Sequence, residues 1–247
     1  MPFRAILFDI GDTLWHSQNA PPPATFRRLA AERVEAELRK LGIEGADAGL
    51  IAQTAWGSLE QAMNRARATD LVEPDYADVC RDALLRHGLK LTREQAAALL
   101  DATYVSGVEG GKAAYPDAVT TLGALRARGF RLGIVTNRAF GGTRFRDDLR
   151  DAGLDIGWDA EAVSVEAGFL KPHPALFEAA LCALDVAAGE ALMVGNSLLE
   201  DIAGAQAVGM KAAWRRSPPD ADGVTPDYTF DEVGELLALP ALTRSAG

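Results

Sequence analysis

Asp9, Asp12, Thr13, Thr136, Lys171, Asn196 and Asp201 are the polar residues of this chain whose types and positions could carry chemistry, most of them at the ends of short apolar runs. Together they supply an anionic nucleophile, a hydroxyl donor, a cation and a second carboxylate. Those are the parts required for phosphoryl transfer through a covalent aspartyl intermediate. Singly, each has a plainer role: Asp9 caps a turn, Thr136 is a strand-end hydroxyl, Lys171 is solvated, and Asp201 is a helix N-cap. For any one residue alone the plainer role is preferred. Other chemistries lack their residues. Gly111-Lys112 lacks the glycine and the hydroxyl residue that a phosphate loop needs around it, at Ser106 and Ala113. No GxSxG or HExxH is present, and His16, His87 and His173 stand where no serine triad is expected.

The elements that must position these residues are legible. Apolar runs before Asp9 (AILF), at Arg131 to Thr136 (RLGIVT), at Ala191 to Val194 (ALMV) and, more weakly, at Ala162 to Val165 predict strands. Strands apolar throughout and spaced by helix-length segments are the pattern of a parallel sheet. In such a sheet ligands gather at the carboxyl ends of the strands. Helical periodicity marks Asp117 to Arg128, Ala175 to Leu184 and Asp201 to Val208. Between the first two strands there is no convincing strand. Instead four helix-like stretches occupy Ala24 to Leu41, Asp47 to Ala68, Asp75 to His87 and Arg93 to Val105. A crossover between parallel strands needs only one helix, so this excursion is predicted to be an inserted domain. The expected architecture is an α/β, doubly wound, Rossmann-like core from residues 1–16 and 115–247, with an α-helical insert at 17–114.

With 48% apolar residues in 247, the chain has enough to bury a core. A net charge of −10 disfavours a nucleic-acid partner, without excluding a small anionic substrate in a cleft of reversed field. Cys80 and Cys182 lack CxxC partners and read as buried, inert thiols. No signal peptide or membrane span is recognised, so a cytoplasmic location is expected.

FDIGDTL (Phe8 to Leu14), IVTN (Ile134 to Asn137), LKP (Leu170 to Pro172) and VGNSLLEDI (Val194 to Ile202) resemble the four ordered motifs of the haloacid dehalogenase superfamily. The helical insert after the first motif resembles that superfamily's cap domain. The resemblance implies a hydrolase, with Asp9 attacking the substrate to form an acylphosphate. It implies that Thr136 and the backbone of Asn137 hold the phosphoryl oxygens. Lys171 would pair with Asp9 and offset charge in the transition state. Asp201, Asp9, the backbone carbonyl of Gly11 and Asn196 would hold Mg²⁺, a hard ion suited to oxygen ligands.

Two positions depart from the phosphatase pattern. The second aspartate, general acid and base in the superfamily's phosphatases, is replaced by Gly11, and Asp12 follows as a turn residue. His16 is a weaker substitute donor. Asn196 stands where the fourth motif often opens with aspartate, which implies a weakened metal site. The leading expectation is a Mg²⁺-dependent phosphatase acting on a small phosphorylated metabolite. A carbon–halogen hydrolase and a binding protein that has lost efficient turnover are the alternatives. Arg65, Arg67 and Arg81 in the insert are candidate anion contacts that solvated helix faces explain equally well.

Overall fold

The structure, a computed structural model, describes residues 3–217 and 223–243. The chain forms two compact units, one from Met1–Gln18 with Lys112–Gly247 and the other from Asn19–Gly111.

The first unit is built on a six-stranded sheet. In chain order its strands are β1 (Ala5–Phe8), β4 (Arg131–Thr136), β5 (Ala160–Val163), β6 (Ala191–Gly195), β7 (Lys211–Arg215) and β8 (Tyr228–Phe230). In space the order is β5-β4-β1-β6-β7-β8, and every pairing is parallel. The expected Rossmann-like parallel sheet is what forms. A two-stranded antiparallel ribbon, β2 (Trp15–His16) with β3 (Ala113–Ala114), closes the loop after β1.

Burial on both faces explains the unbroken apolar runs. Ile6 and Phe8 of β1 join one core cluster with Leu122, Leu125, Phe145 and Leu149, while Ala5 and Leu7 join the other with Leu176, Phe177 and Leu181. Alternate side chains of one strand therefore feed different layers. The covering helices are α5 (Ala118–Ala127) and α6 (Gly142–Asp151) on the first face and α8 (Pro174–Ala183) on the second. Short α7 (Ser164–Ala167) and α9 (Gly204–Ala207) complete this unit.

The chain leaves β1 for β4 and β5 on one side, then returns to add β6, β7 and β8 on the other. The order reverses at β1. That makes the carboxyl end of β1, between those of β4 and β6, the switch point where α/β sheets bind ligands.

The second unit is helical: α1 (Pro23–Lys40), α2 (Ala48–Ala68), α3 (Tyr76–Arg86) and α4 (Arg93–Ala102). Consecutive helices pack on each other, α1 on α2, α2 on α3 and α3 on α4. The start of α4 is fixed by a capping box: Thr92 accepts from the Gln95 N–H, and Gln95 accepts from the Thr92 N–H. Arg81 is engaged on its own helix by Asp78 at 2.7 Å and Asp82 at 2.9 Å. No described helix is long and apolar enough to cross a membrane.

Several elements depart from the sequence reading. Strands β7 and β8 and helix α6 were not expected, because KAAWR and YTF are short and α6 offers only Phe145 and Leu149 as large apolar residues. The helix expected from Asp201 begins earlier, as a π-helical turn at Leu198–Ala203 continued by α9. Cys80 is buried, and burial pushes its thiol up to about 12. Cys182 corrects the expectation of two buried thiols. It is exposed, because Leu176, Phe177, Ala180 and Leu181 already claim the inward face of α8.

Leu7 is wholly buried at the centre of the sheet. Leu7→Ala is expected to destabilise the core unit by about 2–5 kcal/mol, as removal of a buried leucine side chain does. Urea denaturation followed by tryptophan emission measures it.

Candidate active site

Asp9 remains in the ladder through its backbone, its N–H donating to the Val194 carbonyl at 2.9 Å. Beyond it the chain curls sharply. The Ile10 carbonyl accepts from Leu14 at 3.0 Å and from Trp15 at 3.2 Å, and Gly11 bridges to Trp15. Asp12 sits in this turn with φ of 52°, a left-handed conformation that aspartate tolerates better than most residues. It is exposed, and its carbonyl accepts from Arg215 at 2.7 Å. Asp12 is thus a turn residue here. Gly11 holds no left-handed angle, and a Cβ placed on it would meet nothing within 4 Å.

Lys171 is the centre of the site. Its ammonium donates to Asp9 Oδ1 at 2.7 Å, to Asp201 Oδ1 at 2.6 Å and to the Val135 carbonyl at 3.1 Å. All three N–H groups are thereby used. The three residues are buried, Asp9 at 7%, Lys171 at 2% and Asp201 at 1% exposure. Burial alone would lower the lysine's pKa, but the two carboxylates outweigh it and hold the ammonium well above the ordinary lysine range. Asp201 moves the other way for a carboxylate in an ion pair. Burial raises its pKa, Lys171 opposes the rise and Asp9 adds to it. For Asp201 the shared ammonium does not offset the cost of burial.

The other donors complete the network. Thr136, at the end of β4, donates to Asp9 Oδ1 at 3.2 Å. Thr13 Oγ1 lies 3.2 Å from Asp9 Oδ2 and 3.3 Å from Asn196 Oδ1, so one hydroxyl hydrogen serves two acceptors. Asp201 Oδ2 accepts from the Ser197 N–H at 2.9 Å, which turns the carboxylate back toward the end of β6. That approach needs a strand ending in glycine, since a Cβ on Gly195 would lie 2.3 Å from Asp201 Oδ2. Asn137 clamps the Lys171 backbone from both sides, accepting from its N–H at 2.7 Å and donating to its carbonyl at 3.3 Å.

Asp9, Thr136, Lys171 and Asp201 are thus in one hydrogen-bonded network, with Asn196 joined through Thr13 and Asn137 through the Lys171 backbone. His16 is not part of it: its Nδ1 accepts from the Gln18 N–H at 3.3 Å, and its ring lies against Tyr115. Glu200, which the sequence reading missed, accepts from Asn137 at 3.1 Å. Its one signal was its place beside Asp201 in the fourth motif. Arg138 was also missed, although it directly follows the second motif. It pairs with buried Asp148 at 2.8 Å.

As a metal site, the cluster offers only oxygen donors: two carboxylates, the Asn196 amide and the loop carbonyls beside Asp9. No group of three or more His, Cys, Asp or Glu side chains suited to a metal is found among the described residues. The donor chemistry fits a hard divalent cation such as Mg²⁺ rather than a softer one.

Known proteins place the chain. The family model of haloacid dehalogenase-like hydrolases matches residues 3–209. A phosphoglycolate phosphatase of Rhodospirillum rubrum is 32% identical, the match covering 96% of this chain and 92% of that protein. A phosphoserine phosphatase of Thermus thermophilus is 36% identical over a match that covers 52% of this chain and 51% of the relative. Among solved structures, a 2-haloacid dehalogenase from Pseudomonas syringae superposes with a TM-score of 0.64 at 25% identity, covering 96% of this chain and 97% of that one. With its parallel sheet and its four motifs, the chain belongs to the haloacid dehalogenase-like hydrolases.

Proposed function

We propose that this hydrolase is a Mg²⁺-dependent phosphatase that cleaves a small phosphorylated metabolite through an aspartyl-phosphate on Asp9. The observation that carries the reading is the Lys171 ammonium bonded at once to Asp9 and Asp201. It joins a buried carboxylate nucleophile to a cation that can offset charge on a transferring phosphoryl group. The phosphatase names of the two relatives support the same reading.

In the first step an Asp9 carboxylate oxygen attacks phosphorus, and the ester P–O bond breaks with its electrons leaving on the alcohol oxygen. In the second, water attacks the acylphosphate, releasing phosphate and restoring Asp9. Thr136 and the Asn137 N–H hold the phosphoryl oxygens; the Asn137 side chain, occupied with Lys171 and Glu200, orients the lysine instead. Asp9, Asp201, Asn196 and the Gly11 carbonyl would hold Mg²⁺, which supplies Lewis-acid neutralisation of phosphoryl charge. Two carboxylates against one ammonium give the cluster the net negative charge such an ion complements. We propose the helical unit as the cap that selects substrate.

Asp9→Asn is expected to abolish turnover with the fold retained, because an amide cannot form the acylphosphate. Circular dichroism and phosphate release read the two halves of that expectation, and an active variant would overturn the assignment.

Lys171 and Asp201 should separate kinetically. Asp201→Ala raises the Mg²⁺ concentration for half-activity, whereas Lys171→Ala lowers kcat even at saturating metal. Activity indifferent to chelators would count against the metal-dependent reading.

Gly11 leaves the leaving oxygen without an obvious proton donor. Aryl phosphates, which leave as anions, should therefore be cleaved faster than alkyl phosphates. Since the space at Gly11 is open and its backbone angle unstrained, Gly11→Asp is expected to speed alkyl esters by about 10²–10⁴-fold, the usual worth of general acid–base help. Equal aryl and alkyl rates in the unmodified protein would mean that another group already gives the proton.

A further inference from the structure

Beside the Asp9 network the core unit carries a second group of charges. Trp15 of β2 and Phe145 of α6 meet edge to face, their ring centres 6.5 Å apart. The Arg138 guanidinium carbon lies 4.7 Å from the Phe145 ring centre and 5.3 Å from that of Trp15. Asp148 balances this arginine at 2.8 Å. Lys112 places its ammonium 4.9 Å from the same Trp15 ring. Among the described residues it has no hydrogen-bond acceptor or carboxylate within ion-pair distance. Lysine ordinarily extends its ammonium into water. Here it is half-buried, and burial, with Arg138 adding repulsion, pushes its pKa down to about 8 although Asp148 and Asp12 pull the other way. The fold thus keeps a cation with no direct ion pair on an aromatic platform.

The platform adjoins the nucleophile. Trp15 bridges through its backbone to Gly11, two residues after Asp9. Arg138 follows Thr136, whose hydroxyl is bonded to Asp9, by two residues, a span of at most about 7 Å of chain. Both links run from the residues proposed to hold the phosphoryl group to the platform that carries Lys112.

We propose that Lys112 is a substrate-binding residue that receives a second anionic group, a carboxylate or a second phosphate, on the non-reacting end of a small phosphate ester. The inference rests on the phosphatase reading, because it takes the phosphoryl group to sit at Asp9. Arg138, held by Asp148 and by two aromatic faces, positions the Trp15 ring and is itself already neutralised. An anion at Lys112 would restore the charge balance that burial denies it. A neutral end would leave the ammonium as it is, so the preference is selective rather than general.

The test compares non-hydrolysable ligands by calorimetry in Mg²⁺ buffer. 3-Phosphonopropionate and propane-1,3-bisphosphonate carry the second anion as carboxylate and as phosphonate, and 3-phosphonopropanamide lacks it. At least one anionic ligand should bind at least about tenfold more tightly than the amide, the worth of one charge-assisted hydrogen bond. Which of the two is preferred identifies the source. Lys112→Met should collapse that ratio and Lys112→Arg should preserve it. Binding of both anionic ligands no tighter than that of the amide in the unmodified protein, a ratio untouched by Lys112→Met, or no binding of any of the three would overturn the proposal. The first of these comparisons stands even where a variant fails to fold. Turnover of 4-nitrophenyl phosphate, which has no second anion, tests the phosphatase reading separately.

Discussion

A single ammonium between two buried carboxylates organises this protein's site. Removing Lys171, Asp9 and Asp201 from water costs several kcal/mol per ion even after relaxation. The cost is tolerated only because each N–H of the lysine has an acceptor and both carboxylates have further donors. The residues around the cluster follow from that demand. Thr136 and Thr13 serve Asp9, Ser197 serves Asp201, and Asn137 fixes the backbone from which Lys171 projects.

The parallel sheet is what lets three distant segments meet this demand. Asp9 follows the central strand, Thr136 ends its neighbour on one side, and Asn196 follows its neighbour on the other. Lys171 enters from the segment before α8, and Asp201 folds back across the glycine that ends β6. Reversal of strand order at β1 leaves room there, because the connections run away from it in opposite directions. Packing supports the arrangement from beneath, since both faces of β1 are wholly buried and the strand has little freedom to shift.

Charge separates two kinds of cation on the core unit. Lys171 is saturated by carboxylates and a carbonyl, whereas Lys112 rests against an aromatic ring with no direct ion pair among the described residues. The first belongs to the reacting centre. The second, on the same unit and tied through Trp15 to the loop after Asp9, is suited to recognition rather than to chemistry.

The sequence by itself determined the class of fold, the four motifs and which side chains could react, because continuous apolar runs, helical periodicity and the order of polar strand ends are local signals. It also made the absence of a carboxyl at Gly11 plain. It did not reveal β7 or β8, whose few residues carry too little pattern, nor that Cys182 faces outward on α8. Only the tertiary structure decided that Lys171 bonds both carboxylates at once, that the Asn137 side chain turns to the lysine backbone, and that Lys112 and Arg138 share one tryptophan. The reason is physical: these contacts join residues from 30 to 162 positions apart, which spacing along the chain does not encode.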